Sequence, residues 1–296
     1  MKMKNPFLKL AWKRKQKRAD AKSHQRSVLA GSIAAVAASV LSLAGVSSAG
    51  AATFTWGNNT GAWSTGSNWT GGIDPTSDPT NILIFGGGGP GYTATDDIIG
   101  LNPILLNQIS LNNLTTLADT IAATGTTSFS FAGAAAPQIT QNGLGAFIIS
   151  VPITLDTNGL TFNGTGPGQV TLSGVITGPG SPLTFSGYNT TVLSGNNSST
   201  LTGDITINSG TLSVATDGAA SSSLGVSNNQ IIFGTLGGGT LQLTGTFGTL
   251  QATRNVVLNG NGTFDVATSA TIAGTISGNG SLFKRNTGTL TLTGGS

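Results

Sequence analysis

Short runs in which apolar and polar residues alternate follow one another through most of the sequence. In the run 289–293, Leu290 and Leu292 alternate with threonines. Successive side chains of a strand point to opposite faces, so the two leucines share one face and the threonines share the other. Similar runs bounded by Gly, Asn or Pro occur at 129–131, 148–155, 168–173, 205–207, 211–214, 240–244 and 264–266. This pattern predicts an all-β chain of short, half-buried strands joined by turns.

Several of these runs are similar to one another in sequence. One segment occurs twice, and the two copies share five residues at a spacing of 100 positions. These residues are Gly174, Ile176, Gly178, Gly180 and Ser181 in the earlier copy, and Gly274, Ile276, Gly278, Gly280 and Ser281 in the later copy. The tripeptide Gly-Thr-Leu occurs five times, beginning at Gly210, Gly234, Gly239, Gly248 and Gly288. Spacings near one or two turns of roughly 20–25 residues are typical of a solenoid, in which each coil buries its apolar face against its neighbours.

A β-sandwich is the alternative that these turn residues allow. Six Asn-Gly pairs are good hairpin turns, and the segment 256–266 could fold back on itself around Asn259. A sandwich does not require similar segments in series, however, whereas a stack of coils does. We therefore predict a parallel β-helix of about ten coils, with equivalent aliphatic residues stacked inward about 4.8 Å apart.

The segment 52–100 differs from the rest because it is rich in Trp and Gly. Trp56, Trp63 and Trp69 lie close together and precede the apolar run 82–85. Large rings can cover the open end of a sheet, so we expect this segment to be an N-terminal cap. The alternative is a sugar-stacking platform formed by the three tryptophans. From 101 to 296 we expect the β-helical repeat region, in which the leucine-rich run 101–117 forms strands or a short helix.

The first 51 residues have the pattern of a secretory signal. A basic segment, 1–27, precedes an apolar run, 28–46, and a group of small residues. We expect cleavage between Ala51 and Ala52, with cleavage after Ala49 or an uncleaved membrane anchor as alternatives. No second apolar run is long enough to span a membrane, so we expect no membrane span in the mature chain.

The charge of the chain changes once this leader is set apart. Ten of the 13 Lys and Arg residues lie within the first 26 positions. Beyond Ala51 the basic residues Arg254, Lys284 and Arg285 stand against nine aspartates, which gives 3 − 9 = −6. A mildly acidic mature chain argues against a nucleic-acid partner.

Few side chains in the mature region suit catalysis. The only histidine, His24, lies in the leader, and Cys is absent, so a Ser-His-Asp triad, a Cys nucleophile and a His-containing zinc site are excluded. Glu is also absent, which leaves aspartates for acid–base work. Asp96 and Asp97 are adjacent and should face opposite ways; the other candidates for a carboxylate cluster are Asp156, Asp204 and Asp265. We expect no enzyme activity, no cofactor and no metal site.

The repeated segments resemble the autotransporter-associated β-strand repeat, also called the passenger-associated transport repeat. Its pattern is approximately I-S-G-x-G-x-L-x-K-x-G-x-G-T-L-x-L-x-G, followed by a turn and T-x-I-x-x-G-T-L. The residues that fit it include Gly174, Gly178, Gly180, Gly210, Thr211, Leu212, Gly274, Gly278, Gly280, Lys284, Gly288, Thr289, Leu290 and Leu292. The earlier copy lacks the lysine. The similarity ends inside a repeat at Ser296, so we expect a truncated passenger.

The resemblance implies a right-handed β-helix in an exported passenger of a Gram-negative-type bacterium, secreted or held at the cell surface. Its repeats would support folding and transport of the passenger, with the export machinery and an outer-membrane translocator as partners. We therefore expect a non-catalytic surface scaffold. The alternative is a carbohydrate-binding surface module that recognises a surface polysaccharide through Trp56, Trp63 and Trp69.

Overall fold

The computed structural model describes residues 51–245 and 247–295, which form an all-β parallel solenoid. Two parallel sheets run along the described solenoid, and each contains ten strands. Sheet 1 consists of β1 (Thr53–Thr55), β3 (Ile82–Gly87), β6 (Gln108–Asn113), β9 (Gln138–Gln141), β12 (Leu160–Asn163), β15 (Leu183–Phe185), β17 (Ile205–Ile207), β19 (Ile231–Phe233), β22 (Val256–Leu258) and β25 (Ile276–Gly278). Sheet 2 consists of β2 (Gly61–Ala62), β4 (Thr93–Asp96), β7 (Asp119–Ala123), β10 (Phe147–Ile149), β13 (Val170–Leu172), β16 (Thr190–Leu193), β18 (Thr211–Val214), β20 (Gly239–Leu243), β23 (Gly262–Val266) and β26 (Leu282–Arg285).

A third face of the solenoid is paired in two separate parts. The first part consists of β5 (Ile104–Leu106), β8 (Phe129–Phe131), β11 (Ile153–Leu155) and β14 (Ile176–Thr177), and the second of β21 (Gly248–Leu250), β24 (Ser269–Ile272) and β27 (Thr289–Leu292). Between them the coils that contain β15 and β17 cross this face without a strand. Two 3₁₀ turns, Gly66–Asn68 and Ile99–Leu101, are the helical elements of the described residues.

Every strand of a sheet pairs in parallel with a strand about one coil away. The distance along the chain between paired residues varies from 20 residues, from Val256 to Ile276, to 33 residues, from Gly61 to Ala94. The hairpin around Asn259, which the alternative β-sandwich would contain, does not form, because β22 belongs to sheet 1 and β23 to sheet 2. The predicted parallel stack of about ten coils is therefore confirmed.

The core consists of side chains stacked in columns inside the coils. On sheet 2, Leu172, Leu193 and Val214 are register partners in successive strands, and each is buried. On sheet 1, Phe162 and Phe185 are register partners whose rings stack 4.7 Å apart at 4°. Burial of each such side chain stabilises the fold by roughly 1.5–3 kcal/mol, so the columns offset the conformational freedom of a Gly-rich chain.

The Trp-rich segment 52–100 is continuous with the solenoid. Its strands β3 and β4 pair with β6 and β7 of the next coil. The sheets therefore continue across the predicted boundary at residue 100. The run 101–117 forms the strands β5 and β6, and the short helix that was the alternative is limited to the 3₁₀ turn that ends at Leu101.

The two copies of the long repeat lie on different faces. Ile176 of the earlier copy belongs to β14 on the third face, whereas Ile276 of the later copy belongs to β25 in sheet 1. The Gly-Thr-Leu tripeptides likewise occur in sheet 2 at Gly210 and on the third face at Gly288. Similarity in sequence between the copies therefore does not place them on the same face. Each of the three faces is built from a turn followed by alternating outward and inward residues. Similar segments can therefore occupy any of the three faces.

The predicted signal peptide, residues 1–51, lies outside the described residues except for Ala51. In the described part of the chain, no helix combines the length and the apolar character that a membrane crossing needs.

Candidate functional site

The three tryptophans proposed for sugar stacking are buried. Trp63 is 0% exposed, Trp56 1% and Trp69 2%, and the rings pack edge-to-face on one another, with centroids 4.9 and 5.3 Å apart. Trp63 also stacks on Phe129 of the third face at 5.4 Å. A pyranose needs an exposed ring face, which these side chains do not offer. The interpretation of Trp56, Trp63 and Trp69 as a glycan contact is therefore wrong, and they contribute to the apolar core instead.

The repeat-motif residues occupy corners and strands. Their glycines lie at corners or strand ends, where successive backbones approach closely: a Cβ on Gly274 would lie 2.1 Å from the carbonyl oxygen of Arg254, and one on Gly294 would lie 1.9 Å from that of Gly274. The leucine Leu212 points inward and is buried, and Thr211 points outward. Other motif residues at corners or strand ends are Gly174, Gly178, Gly180, Gly210, Gly278, Gly280 and Gly288, while Thr289, Leu290 and Leu292 lie in β27. These positions build the solenoid, and Gly210 and Thr211 also line a cleft on its outer surface.

A buried ion pair lies where the third face has no strand. The Arg254 guanidinium donates from Nε to Asp217 Oδ2 at 2.8 Å and from Nη2 to Oδ1 at 2.7 Å, and both side chains are fully buried. The remaining guanidinium hydrogens reach the carbonyl oxygens of Leu224, Gly225 and Asn229. All five donors of the arginine are therefore used within the fold.

Polar side chains from neighbouring coils complete this network. Ser222 Oγ donates to Asp217 Oδ1 at 2.7 Å, and the Gln251 side chain donates to the same oxygen at 3.2 Å. Asn229 donates to the carbonyl oxygens of Leu201 and Leu224, and Asn197 donates to that of Ser223. These bonds replace the missing strand pairing with side-chain bonds to the backbone. The network is structural, because each group is already engaged and all but the half-buried Gln251 are buried.

Two carboxylates are buried near the first coils. Asp96 is 0% exposed, and its Oδ1 accepts from the backbone N–H of Ile98 at 3.1 Å while Oδ2 has no partner among the described residues. Burial raises the pKa of Asp96 to about 6. Asp119 accepts from Asn113 Nδ2 at 2.6 Å, and burial raises its pKa as well. Asp97 points to the other side, where it accepts from Ser64, so the pair Asp96–Asp97 does not act as a carboxylate dyad.

The remaining carboxylate candidates do not converge. Asp156 follows β11 on the third face, Asp204 precedes β17 in sheet 1, and Asp265 points outward from β23 in sheet 2. Within residues 51–245 and 247–295, no group of three His, Cys, Asp or Glu side chains could hold a metal ion.

An open cleft of about 660 Å³ lies on the outer face of sheet 2. Its floor is the outward column Thr211, Thr240 and Thr263, which are register partners in β18, β20 and β23. Phe283 continues this column in β26 and is 51% exposed. Asn261, Arg285 and the corner glycines Gly210, Gly237 and Gly238 also line it. Lys284 borders it as well, but its Nζ donates to the carbonyl oxygen of Asn286.

Arg285 lies on the outward side of β26 beside its register partner Asp265, whereas Lys284 is the register partner of the buried Phe264. The described residues contain three Lys or Arg side chains, and Arg254 is buried in its ion pair, so the exposed cations of this part of the chain are Lys284 and Arg285. The Asp217–Arg254 contact is the only ion pair within residues 51–245 and 247–295, and neither cation of the cleft has a carboxylate oxygen within 4.0 Å there. In the sequence, Lys284 is a residue of the repeat motif and Arg285 is one of three basic residues beyond Ala51. The residues that strand pairing brings together here are up to 74 positions apart, from Thr211 to Arg285. No local sequence pattern predicts that they lie close together.

No protein-family model, no curated protein and no solved structure matches the chain. The likeness to the autotransporter-associated repeat therefore rests on the motif residues alone.

Proposed function

We propose that this protein is a non-catalytic, exported β-helical passenger that acts as a surface scaffold. The observation that carries the proposal is the stack of ten coils whose inward columns continue from one strand to the next along two sheets. Nine inter-strand steps of about 4.8 Å give the described solenoid a length of roughly 43 Å. A regular stack of this kind displays its outer faces at fixed spacing, which is what a scaffold requires.

The same architecture favours folding during export. Each coil pairs mainly with the coils before and after it, so a coil can be added as soon as 20–33 residues have emerged. A chain that crosses a membrane from one end can therefore fold coil by coil. Likeness of the Gly-Thr-Leu segments to the passenger-associated transport repeat supports this role, with the export machinery and an outer-membrane translocator as partners.

Export is supported by the order of charge and hydropathy in the leader. The basic segment 1–27, the apolar run 28–46 and the small residues up to Ala51 follow the order of a secretory signal. A Gram-negative bacterium would then release the mature chain from the cytoplasm, to be secreted or held at the surface.

Fractionation of cells that express the full-length chain tests export. We expect the wild-type chain outside the cytoplasm, beginning at Ala52 after cleavage behind Ala51, or at Gly50 after cleavage behind Ala49; N-terminal sequencing distinguishes them. The variant Leu41→Arg, which places a charge in the apolar run, should stay in the cytoplasm with its leader intact. A wild-type chain that also stays there would contradict the proposal, and a matched variant outside the apolar run, Lys9→Gln, controls for altered expression.

A further inference from the structure

The connections from sheet 1 to sheet 2 form one corner of the solenoid, and large apolar side chains project from it. Leu114 and Leu117 lie in the connection from β6 to β7, Leu144 in that from β9 to β10, Tyr188 in that from β15 to β16 and Leu236 in that from β19 to β20. Their exposed fractions range from 51% for Leu117 to 75% for Tyr188 and Leu236. The described residues expose eleven large hydrophobic side chains, and these five, the apolar row, share one corner.

Backbone hydrogen bonds between successive corners align the members of the apolar row. The N–H of Leu144 donates to the carbonyl oxygen of Asn113 in the preceding coil at 2.6 Å, and that of Tyr188 donates to Gly164 at 3.2 Å. The exposed Pro167 lies in the coil between them. From β6 to β19 sheet 1 has five inter-strand steps of about 4.8 Å, so the row is about 24 Å long. A single exposed leucine is ordinary, but a row of this length is typical of an interaction surface.

The corner that carries the apolar row is also free of charge. None of its connections among the described residues contains Asp, Lys or Arg; they are 56–60, 88–92, 114–118, 142–146, 164–169, 186–189, 208–210, 234–238, 259–261 and 279–281. Six aspartates lie instead in connections elsewhere on the solenoid, namely Asp74, Asp78, Asp97, Asp156, Asp204 and Asp217. This corner can therefore leave water without the cost of desolvating a charged side chain.

The size and shape of the apolar row favour a lipid surface over a protein partner. A stable protein–protein interface takes about 20–30 residues from each side, whereas the row supplies five large apolar side chains. These side chains project from a corner instead of lining a groove, and apolar groups presented in this way enter a bilayer interface to a depth of about 5–10 Å. A tyrosine suits that boundary, because its ring is apolar and its hydroxyl is polar.

We propose that this corner binds an electrically neutral lipid surface, with the four leucines of the apolar row among the first acyl carbons and the Tyr188 ring at the level of the head groups. The backbone of the corner stays among the polar head groups, where its N–H and carbonyl groups keep hydrogen-bond partners. The surface is a neutral one because the chain beyond Ala51 has a net charge of 3 − 9 = −6, which an anionic surface repels. Such binding does not depend on export or on the scaffold role.

A polarity-sensitive dye at the corner of the full-length chain tests this contact. Because the chain has no cysteine, Thr116→Cys gives a single attachment site for nitrobenzoxadiazole beside the apolar row, and Thr154→Cys gives a control site on β11 of the third face. With phosphatidylcholine vesicles we expect brighter, blue-shifted emission from the label at position 116 and no change from that at 154. Added salt should leave the shift unchanged, since salt screens charges. A leader that binds vesicles by itself leaves both labels in water, so a shift at 116 alone reports the corner.

Two substitutions in the Thr116→Cys background locate the contact. Leu144→Ser removes one exposed leucine of the apolar row and should raise the vesicle concentration that gives half of the maximal shift about threefold to tenfold. Val175→Ser is the matched control, because Val175 is 39% exposed in the connection from β13 to β14 at another corner, and it should leave that concentration unchanged. Both variants should keep the thermal midpoint of the parent, since neither side chain belongs to the core.

Three results would overturn the proposal: an unshifted label at 116 in excess vesicles, an equal shift at 154, or equal weakening by Val175→Ser and Leu144→Ser. Sedimentation equilibrium without lipid tests the other occupant of such a surface. A monomer is expected. A dimer that Leu144→Ser dissociates would also overturn the proposal, because the corner would then be covered by a second copy of the chain.

Discussion

Arg254 donates to both oxygens of Asp217 at the place where the third face of the solenoid carries no strand. The pair joins residues that are 37 positions apart in the chain. The arginine donates its remaining hydrogens to backbone carbonyl oxygens of the segment 224–229, which crosses this face without a strand. The ion pair therefore holds together a region that strand pairing does not.

Removal of one partner of this pair should be strongly destabilising. Arg254→Met leaves a buried carboxylate without its counter-charge, and we expect a loss of about 3–5 kcal/mol in the free energy of unfolding. The double variant Asp217→Leu/Arg254→Met should lose less than Arg254→Met alone, because no charge remains buried. Urea unfolding followed by circular dichroism measures both, and an equal loss in the two would show that the charge pairing is not the main contribution.

The inward and outward faces of one strand should differ sharply in tolerance to charge. Ile149 is fully buried and Ile148, its neighbour in β10, is 38% exposed. We expect Ile149→Asp to cost about 4 kcal/mol or more, since it buries an unpaired charge. Ile148→Asp is the matched control and should cost less than about 1 kcal/mol. Similar thermal midpoints for the two variants would contradict the assignment of the inward face.

The close stacking of corners should exclude even a methyl group. A Cβ on Gly274 would lie 2.1 Å from the Arg254 carbonyl oxygen, so Gly274→Ala should cost about 1–3 kcal/mol through backbone displacement. Gly88→Ala is the control, because a Cβ there meets nothing within 4 Å, and it should be neutral or stabilising by up to about 1 kcal/mol. Differential scanning calorimetry of both proteins checks the difference.

The buried carboxylate of Asp96 should make stability depend on pH. Burial raises its pKa to about 6 in the fold, whereas an unfolded Asp titrates near 3.9. The folded state therefore holds the proton more tightly, and this contribution to stability is present below about pH 4 and is lost as pH rises to about 6. We expect it to amount to roughly 1–3 kcal/mol.

Asp96→Asn should remove this part of the pH dependence. The amide is neutral at every pH and keeps the oxygen that accepts from Ile98, so the variant should be more stable than the wild type near pH 7 and similar to it near pH 4. Thermal midpoints of both proteins across this range give the measurement. Parallel curves for the two proteins would show that Asp96 is not the group responsible.

The alternation of residues predicts the solenoid well, for a physical reason. Inward columns need only an apolar residue at every second position, and runs such as Phe129–Phe131 show that locally. The assignment of faces is different. Ile176 and Ile276 each have a glycine two positions away on both sides. The distance along the chain to the next coil varies from 20 to 33 residues, so the face that each copy occupies depends on the sum of all earlier turns.

The two polar sites were not predicted, since each joins distant segments. Nothing around Asp217 distinguishes it from an exposed turn residue, and its partner Arg254 stands 37 positions later. Similarly, Phe283 fits an ordinary alternating run, and only its register with Thr263 places it in the cleft. Trp63 shows the converse case, because a cluster of aromatic residues indicates both a core and a ligand platform until burial is known.

The interruption of the third face makes the described solenoid mechanically uneven. In sheets 1 and 2, backbone hydrogen bonds join each strand to the next along the described solenoid. On the third face, the coils of β15 and β17 are joined by side-chain hydrogen bonds and turns. Bending that opens the third face breaks fewer backbone hydrogen bonds between β14 and β21 than elsewhere. The Asp217–Arg254 ion pair is the interaction that resists it. A pulling force applied along the coils should therefore make the molecule yield first between β14 and β21.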